Sequence, residues 1–328
     1  MKLNPIVRCG HERARTWCAR ASCCRRLLGA CLILTAAVST AAAQSLPDRT
    51  EATSTAATAE RPQTAEDDDT VLNKAEPDFV VVNLPTAMPL APRKSNFRLT
   101  HRFAGNLRRG TFGQQAGSLF GIDQGAIIGF EYRMAVAPHA QAAFYRSSFD
   151  RTIQLHGKYD GIRQRRSTPV SVSALASIEG TNNFKEKYAP SFGVVVSRSV
   201  GTRVAAYLTP IWTGNTAASL EPVAHDHQTS QPVATVEPAE HHRNTTSIGV
   251  GARVRVRGTT YVAAEIVPRA SGYAPDDPAY GVSIEKRVGA HMFSLTFTNT
   301  FGTTFAQVAR GGAASTLYLG FNLGRKFF

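Results

Sequence analysis

Imidazoles and carboxylates crowd one stretch of the chain, EPVAHDHQTSQPVATVEPAEHHRN. It holds Glu221, His225, Asp226, His227, Glu237, Glu240, His241 and His242. Imidazole and carboxylate together can bind Zn²⁺, Ni²⁺ or Cu²⁺. His225 and His227 would meet His241 or His242 if the stretch folded back on itself. The competing reading is a long polar loop, broken by prolines, with no rigid framework to fix a metal.

Other chemistry is sparse. Gly193 is followed by Val194 and no G-x-S-x-G elbow occurs, while Gly110-Thr111-Phe112-Gly113 lacks the Lys-Ser or Lys-Thr partner of a phosphate loop. His101, Asp150 and His156 have no spacing that joins them into a nucleophilic site. The expectation is a protein that is not an enzyme and carries no cofactor.

A second set of charges has a pattern. Arg98, Arg102, Glu131, Arg133, Lys158, Arg253, Arg255, Glu265, Glu285 and Arg287 fall on segments that alternate polar with apolar. NFRLTHRF sets Phe97, Leu99, His101 and Phe103 against Arg98, Thr100 and Arg102. AIIGFEYRMAV sets Ile128, Phe130, Tyr132 and Met134 against Gly129, Glu131 and Arg133. In RTIQLHGKYD, Ile153, Leu155, Gly157 and Tyr159 oppose Thr152, Gln154, His156 and Lys158. TSIGVGARVRVRG opposes Ile248, Val250, Ala252, Val254 and Val256 to Gly249, Gly251, Arg253 and Arg255. Period two is the signature of a strand with two unlike faces. A helix would place Glu131 and Arg133 about 200° apart with no apolar stripe to match.

About twelve such strands run from Asn96 to the end, with no long amphipathic helix between them. One face is apolar and often aromatic. The other carries Gly, Ser and Arg. That predicts an all-β fold, a closed antiparallel transmembrane β-barrel of about twelve strands, apolar outward and polar inward. A soluble barrel or sandwich is the alternative. The ten charges then line the lumen or its rims. They could neutralise one another and lock the barrel, or guide anionic solutes through it. The inward glycines Gly249 and Gly251 are expected to leave lumen space beside Arg253 and Arg255.

The chain begins unlike the rest. Arg8, Arg13, Arg15, Arg20, Arg25 and Arg26 precede LLGACLILTAAVSTAAA, an apolar run of about 17 residues that is short for a membrane span. This predicts a signal peptide over residues 1–43, cleaved before Gln44. Leu28-Gly29-Ala30-Cys31 resembles a lipoprotein box but has no apolar segment before it. Cys9, Cys18, Cys23, Cys24 and Cys31 all precede Gln44, so thiol chemistry is excluded from the expected mature chain. The formal charge of +13 includes +6 from residues 1–43, and the remaining arginines are spread along the strands. No nucleic-acid partner is expected. Residues 44–90 read as a flexible N-terminal arm, with a short ordered piece near Phe79–Val82 that packs at a barrel mouth or plugs it. Residues 91–328 form the barrel, with the long polar loop near 214–245.

The last strand, LYLGFNLGRKFF, must close the barrel on the first. Phe327 and Phe328 are the closure residues. The apolar row Leu317, Leu319, Phe321 and Leu323 is interrupted by Arg325. Either a bulge near Gly324 resets the phase, or Arg325 and Lys326 reach the headgroup layer beside an aromatic belt.

SLFGIDQGAIIGFEYRM, YRSSFDRTIQLHGKY, YGVSIEKRVGAHMFSLTFTNTFG and the GFNLGRKF ending resemble the bacterial membrane-bound β-barrel family DUF5777. The resemblance covers Asn96 to Phe328, with Ala217 to His242 less family-like. It implies the outer membrane of a Gram-negative-type cell and supplies no activity. The expected partners are outer-membrane lipid, the barrel-assembly machinery and small anionic solutes. The functional expectation is a narrow channel for small polar or anionic solutes. Its alternatives are a non-conducting structural or surface-binding barrel and an outer-membrane hydrolase.

Overall fold

The structure, a computed structural model, describes residues 74–216 and 244–327. Its strands follow from the two-residue alternation. In β1 (Ser95–Asn106), Asn96, Arg98, Thr100 and Arg102 are buried while Phe97, Leu99 and His101 are half-exposed. In β2 (Ala126–Ala137), Gly129, Glu131 and Arg133 are buried while Phe130, Tyr132 and Met134 are exposed. The polar row is inside and the apolar row outside, the inverse of a water-soluble sheet and the arrangement a lipid solvent demands.

The same inversion runs through β3 (Ala140–Ser147), β4 (Ile153–Ile162), β5 (Ser171–Gly180), β6 (Glu186–Val200) and β7 (Val204–Thr213). It continues in β8 (Thr245–Arg257), β9 (Thr260–Val267), β11 (Ala279–Val288), β12 (His291–Thr298) and β13 (Tyr318–Phe327). A short β10 (Arg269–Gly272) extends β9 along the same neighbour, β8. Pro268 separates the two because it has no N–H to give the ladder.

Strands pair antiparallel in chain order. β8 pairs with β9, and β1 pairs with β13 through Ser95↔Phe327, Phe97↔Arg325 and Leu99↔Leu323. The sheet therefore closes as a twelve-stranded antiparallel barrel with no open edge. Tight turns at residues 138–139, 201–203, 258–259 and 289–290 lie at the end that also holds Ser95 and Phe327. The connections at the opposite end, such as 107–125 and 299–317, are longer.

Two features differ from the sequence expectation. The flexible arm is expected to run through residue 90, but Ala75 to Leu90 are buried almost throughout. They fold into a tight hairpin closed by Val80↔Pro85, by Val81 N–H to Leu84 O at 2.8 Å, and by Thr86 N–H to Phe79 O at 2.9 Å. The ordered piece is therefore far longer than Phe79–Val82. At the other end of the chain, β13 stays in register with β1 past Gly324, so no bulge resets the phase. Arg325 and Phe327 face outward together, with the Arg325 guanidinium 5.2 Å from the Phe327 ring centre. Lys326 turns inward, not to the headgroup layer, and its Nζ donates to Pro77 O at 2.7 Å.

The connection after β12 also folds inward. It carries α2 (Phe305–Arg310), whose Ala306, Gln307, Val308 and Ala309 are buried. Thr304 and Gln307 form its capping box. The connection after β1 carries α1 (Phe112–Gly117), in which no residue is buried.

Candidate functional site

The inward wall carries charges at positions fixed by register. Arg98 on β1 lies opposite Glu131 on β2, and Arg98 Nη2 meets Glu131 Oε2 at 3.0 Å. Arg133, one inward position along β2, shares that carboxylate at 3.1 Å. Arg133 Nη1 also donates to Gln141 Oε1 at 3.2 Å, and Gln141 Nε2 donates to Asp160 Oδ2 at 3.0 Å. Lys158 pairs with Asp160 at 3.0 Å. A belt of complementary polar groups thus runs along the wall from β1 to β4. Burying it costs desolvation that only paired and hydrogen-bonded geometry offsets.

Arg253 makes the longest reach. It sits on β8 and pairs with Glu285 on β11 at 2.7 Å, crossing β9 over the small Ala263. Its Nη1 donates to Tyr207 Oη at 3.2 Å. A larger residue at 263 would block this path.

These wall groups hold the main chain of the N-terminal segment. Arg253 Nη2 donates to Val80 O at 2.6 Å. Lys158 Nζ donates to Thr86 O at 3.0 Å and to Met88 O at 2.6 Å. Glu265 takes three backbone N–H groups, from Val82 at 2.9 Å, Asn83 at 2.8 Å and Leu84 at 2.9 Å. Three successive amides converging on one carboxylate make a nest, a concave anion site formed by the turn itself. Arg102 donates to Asn322 Oδ1 at 2.8 Å and to Asn83 Oδ1 at 3.2 Å. Asn322 Nδ2 in turn donates to Val82 O at 3.3 Å.

Apolar contacts fit the same segment. Gly251 and Gly281 flank Glu265 on the neighbouring strands. A Cβ at Gly249 would lie 2.5 Å from Leu84 Cδ2, and one at Gly281 would lie 3.0 Å from Val82 Cγ1. The inward glycines are expected from the sequence to leave lumen space for the arginines. Instead, Leu84, Val81 and Val82 occupy that space. One buried cluster joins Val81, Val82 and Leu84 to Val308 of α2 and to Tyr207, Ala263 and Val267 of the wall. The two inward-folded pieces therefore share one apolar core with the wall. Arg102, Arg253, Val82 and Thr86 are each 0% exposed. A water-filled pore would leave its lining accessible, so the described lumen is closed at this level.

Of the ten charges read from the sequence, Arg98, Arg102, Glu131, Arg133, Lys158, Arg253, Glu265 and Glu285 are buried on the inward rows. Arg255 and Arg287 are half-exposed near the tight-turn end, where Arg255 Nη2 donates to Thr202 Oγ1 at 2.8 Å. Phe327 closes against Ser95. His225, His227, His241, His242 and Phe328 lie outside the described residues, as do residues 1–73.

Sequence reasoning missed Gln141, Asp160, Asn322, Lys326 and Asn83. Asp160, Asn322 and Lys326 continue inward rows and were legible by parity, whereas the two rows of β3 left the face of Gln141 open. Asn83 sits in a turn with no period to reveal it. Glu179 was missed too. It accepts from Thr304 Oγ1 at 2.9 Å and from Ala306 N–H at 3.1 Å, and so seats α2.

A closed barrel with its polar row inside and an apolar belt outside calls for a membrane family. The model of the membrane-bound β-barrel domain DUF5777 matches residues 78–327. The chain belongs to that family. The match begins within the buried N-terminal segment, so the DUF5777 domain includes most of the plug as well as the wall. No curated protein matches the chain. Among solved structures, a NanC porin is similar at 7% identity and TM-score 0.42, over 71% of this chain and 98% of that one. A KdgM porin in complex with disordered oligogalacturonate has 7% identity and TM-score 0.42, over 72% and 99%. The Acinetobacter baumannii outer membrane protein Omp33 has 11% identity and TM-score 0.38, over 72% and 98%. All three are distant likenesses.

Proposed function

We propose that this is an outer-membrane barrel, closed at rest by residues 75–90, that conducts small polar or anionic solutes when that segment withdraws. The observation that carries this reading is how the segment is held. Lys158, Arg253, Glu265 and Asn322 bind its backbone groups, and water can replace each of those bonds. Withdrawal would bare the inward glycines Gly249 and Gly251 of β8 and Gly281 of β11, with Glu265 of β9 between them. The tight turns, with Ser95 and Phe327 beside them, face the periplasm, following the short-turn rule for such barrels.

The preference for anions is mild. Buried Arg98, Arg102, Arg133, Lys158 and Arg253 are matched by buried Glu131, Asp160, Glu179, Glu265 and Glu285. Withdrawal removes Asn83 from Arg102 and three amides from Glu265, which offset each other, and it bares Lys326, whose Nζ otherwise donates to Pro77 O, as one further inward cation.

A non-conducting barrel is the second reading, favoured by Val308 of α2 packing in the same cluster as the segment. A disulfide separates the two. A Cβ at Gly281 would lie 3.4 Å from Val82 Cβ, close to the ~3.5–4.5 Å of disulfide-bonded pairs. In a chain whose native cysteines are replaced, V82C/G281C should show discrete conductance in planar bilayers when reduced and none when oxidised. Equal conductance in both states would rule out the segment as the gate. A folded protein silent in both would favour the non-conducting barrel.

A further inference from the structure

The connection between β1 and β2 exposes a cluster that the barrel does not require. Phe112 is 79% exposed, and Leu119, Phe120 and Ile122 are also exposed. Phe112 and Phe120 pack edge to face, with ring centres 6.0 Å apart. Large apolar groups gathered on a connecting loop mark a contact surface.

The loop is built to present them. Leu119 and Phe120 have φ of 48° and 56°, a left-handed backbone that non-glycine residues adopt only under strain. Gly121 packs directly against Gly105 of β1, so closely that neither position has room for a Cβ. The β1 register shifts between Arg102 and Asn106, where its alternation of buried and half-exposed residues ends. The turn at 119–124 leads directly into β2, where Ala126 pairs with Phe103 and Ile128 with His101 of the outward row, so the cluster adjoins the end of the lipid-facing belt. Arg108 ties the loop to the rim by donating to Tyr280 Oη at 2.9 Å and to Ala314 O. Arg109 is exposed beside it.

We propose that residues 108–122 are an interfacial anchor: Phe112, Leu119, Phe120 and Ile122 insert into the lipid leaflet at the long-connection end of the barrel, and Arg109 sits at the phosphate layer. The occupant of this surface is lipid. An apolar face immersed at the headgroup boundary, with arginine above it, is the arrangement of membrane-surface elements. Such an anchor would serve a conducting barrel and a closed one alike.

A single fluorescent reporter in the cluster tests this. With both native tryptophans replaced (W17F/W212F), the F112W variant is reconstituted into vesicles of phospholipid brominated near the headgroup or deep in the acyl chain. Emission of the introduced indole should be blue-shifted, quenched most by the shallow bromines and little affected by aqueous iodide. An I122W variant provides a second reporter if F112W misfolds. Water-like emission quenched by iodide overturns the proposal. Shielding that arises only at high protein-to-lipid ratio also overturns it, because a second copy of the chain would then be the cover.

Discussion

At the scale of residues, Glu265 is the most concentrated attachment of the N-terminal segment to the wall. One carboxylate satisfies three amides of the turn at Val82–Leu84. Hydrogen bonds to a charged group contribute more than neutral ones, and an amide buried without an acceptor is costly. E265Q keeps the shape but replaces one acceptor oxygen with a donor facing N–H groups. Docking of the turn should weaken by about 2 kcal/mol. Amide exchange at Val82, Asn83 and Leu84 should then quicken about 30-fold, taking ~1.4 kcal/mol per tenfold. Unchanged exchange would remove Glu265 from its role as the principal acceptor.

At the scale of elements, β8 and the hairpin of residues 79–86 are shaped to each other through glycine. G249A would drive its Cβ into the end of Leu84, 2.5 Å away, an overpacking that costs typically about 1–3 kcal/mol. The double variant G249A/L84A should recover protection of the segment from protease, with a coupling of about 1 kcal/mol or more. Additive losses would mean that the two residues do not share the space. The faces of β1, β2, β4 and β8 were legible because each alternates charge or glycine with bulky apolar groups. The outward face of β3 was not, since Gln141, Ala142, Ala143, Phe144, Tyr145 and Arg146 place a small and a large residue on both rows. The wall hides Tyr145 inside, where its hydroxyl meets Thr100 and Thr303 at 2.8 and 2.6 Å. The hairpin was only partly legible. FVVVNLP has no period, and its burial comes from distant partners, as where Asn83 meets Glu265, 182 residues further along. The inward glycines Gly249, Gly251 and Gly281 carried the complementary signal, because a row without side chains needs another segment to fill it.

At the scale of the whole molecule, the barrel belongs to a membrane-bound family and its described lumen is closed by its own chain. Two pieces far apart in sequence, the N-terminal segment and the α2 connection, belong to one apolar cluster with residues of the wall. The polar belt around them explains why the inward charges are buried and paired instead of wet. The most direct test is the reactivity of a single thiol. In a reconstituted chain whose five native cysteines are replaced, V82C places that thiol at a fully buried position of the segment. S167C, in the connection between β4 and β5, provides an exposed control. A water-soluble maleimide should modify position 82 far more slowly than position 167 in the folded barrel, and at the same rate once the barrel is denatured. Equal rates in the folded barrel would place residue 82 outside the lumen and contradict the closure described here.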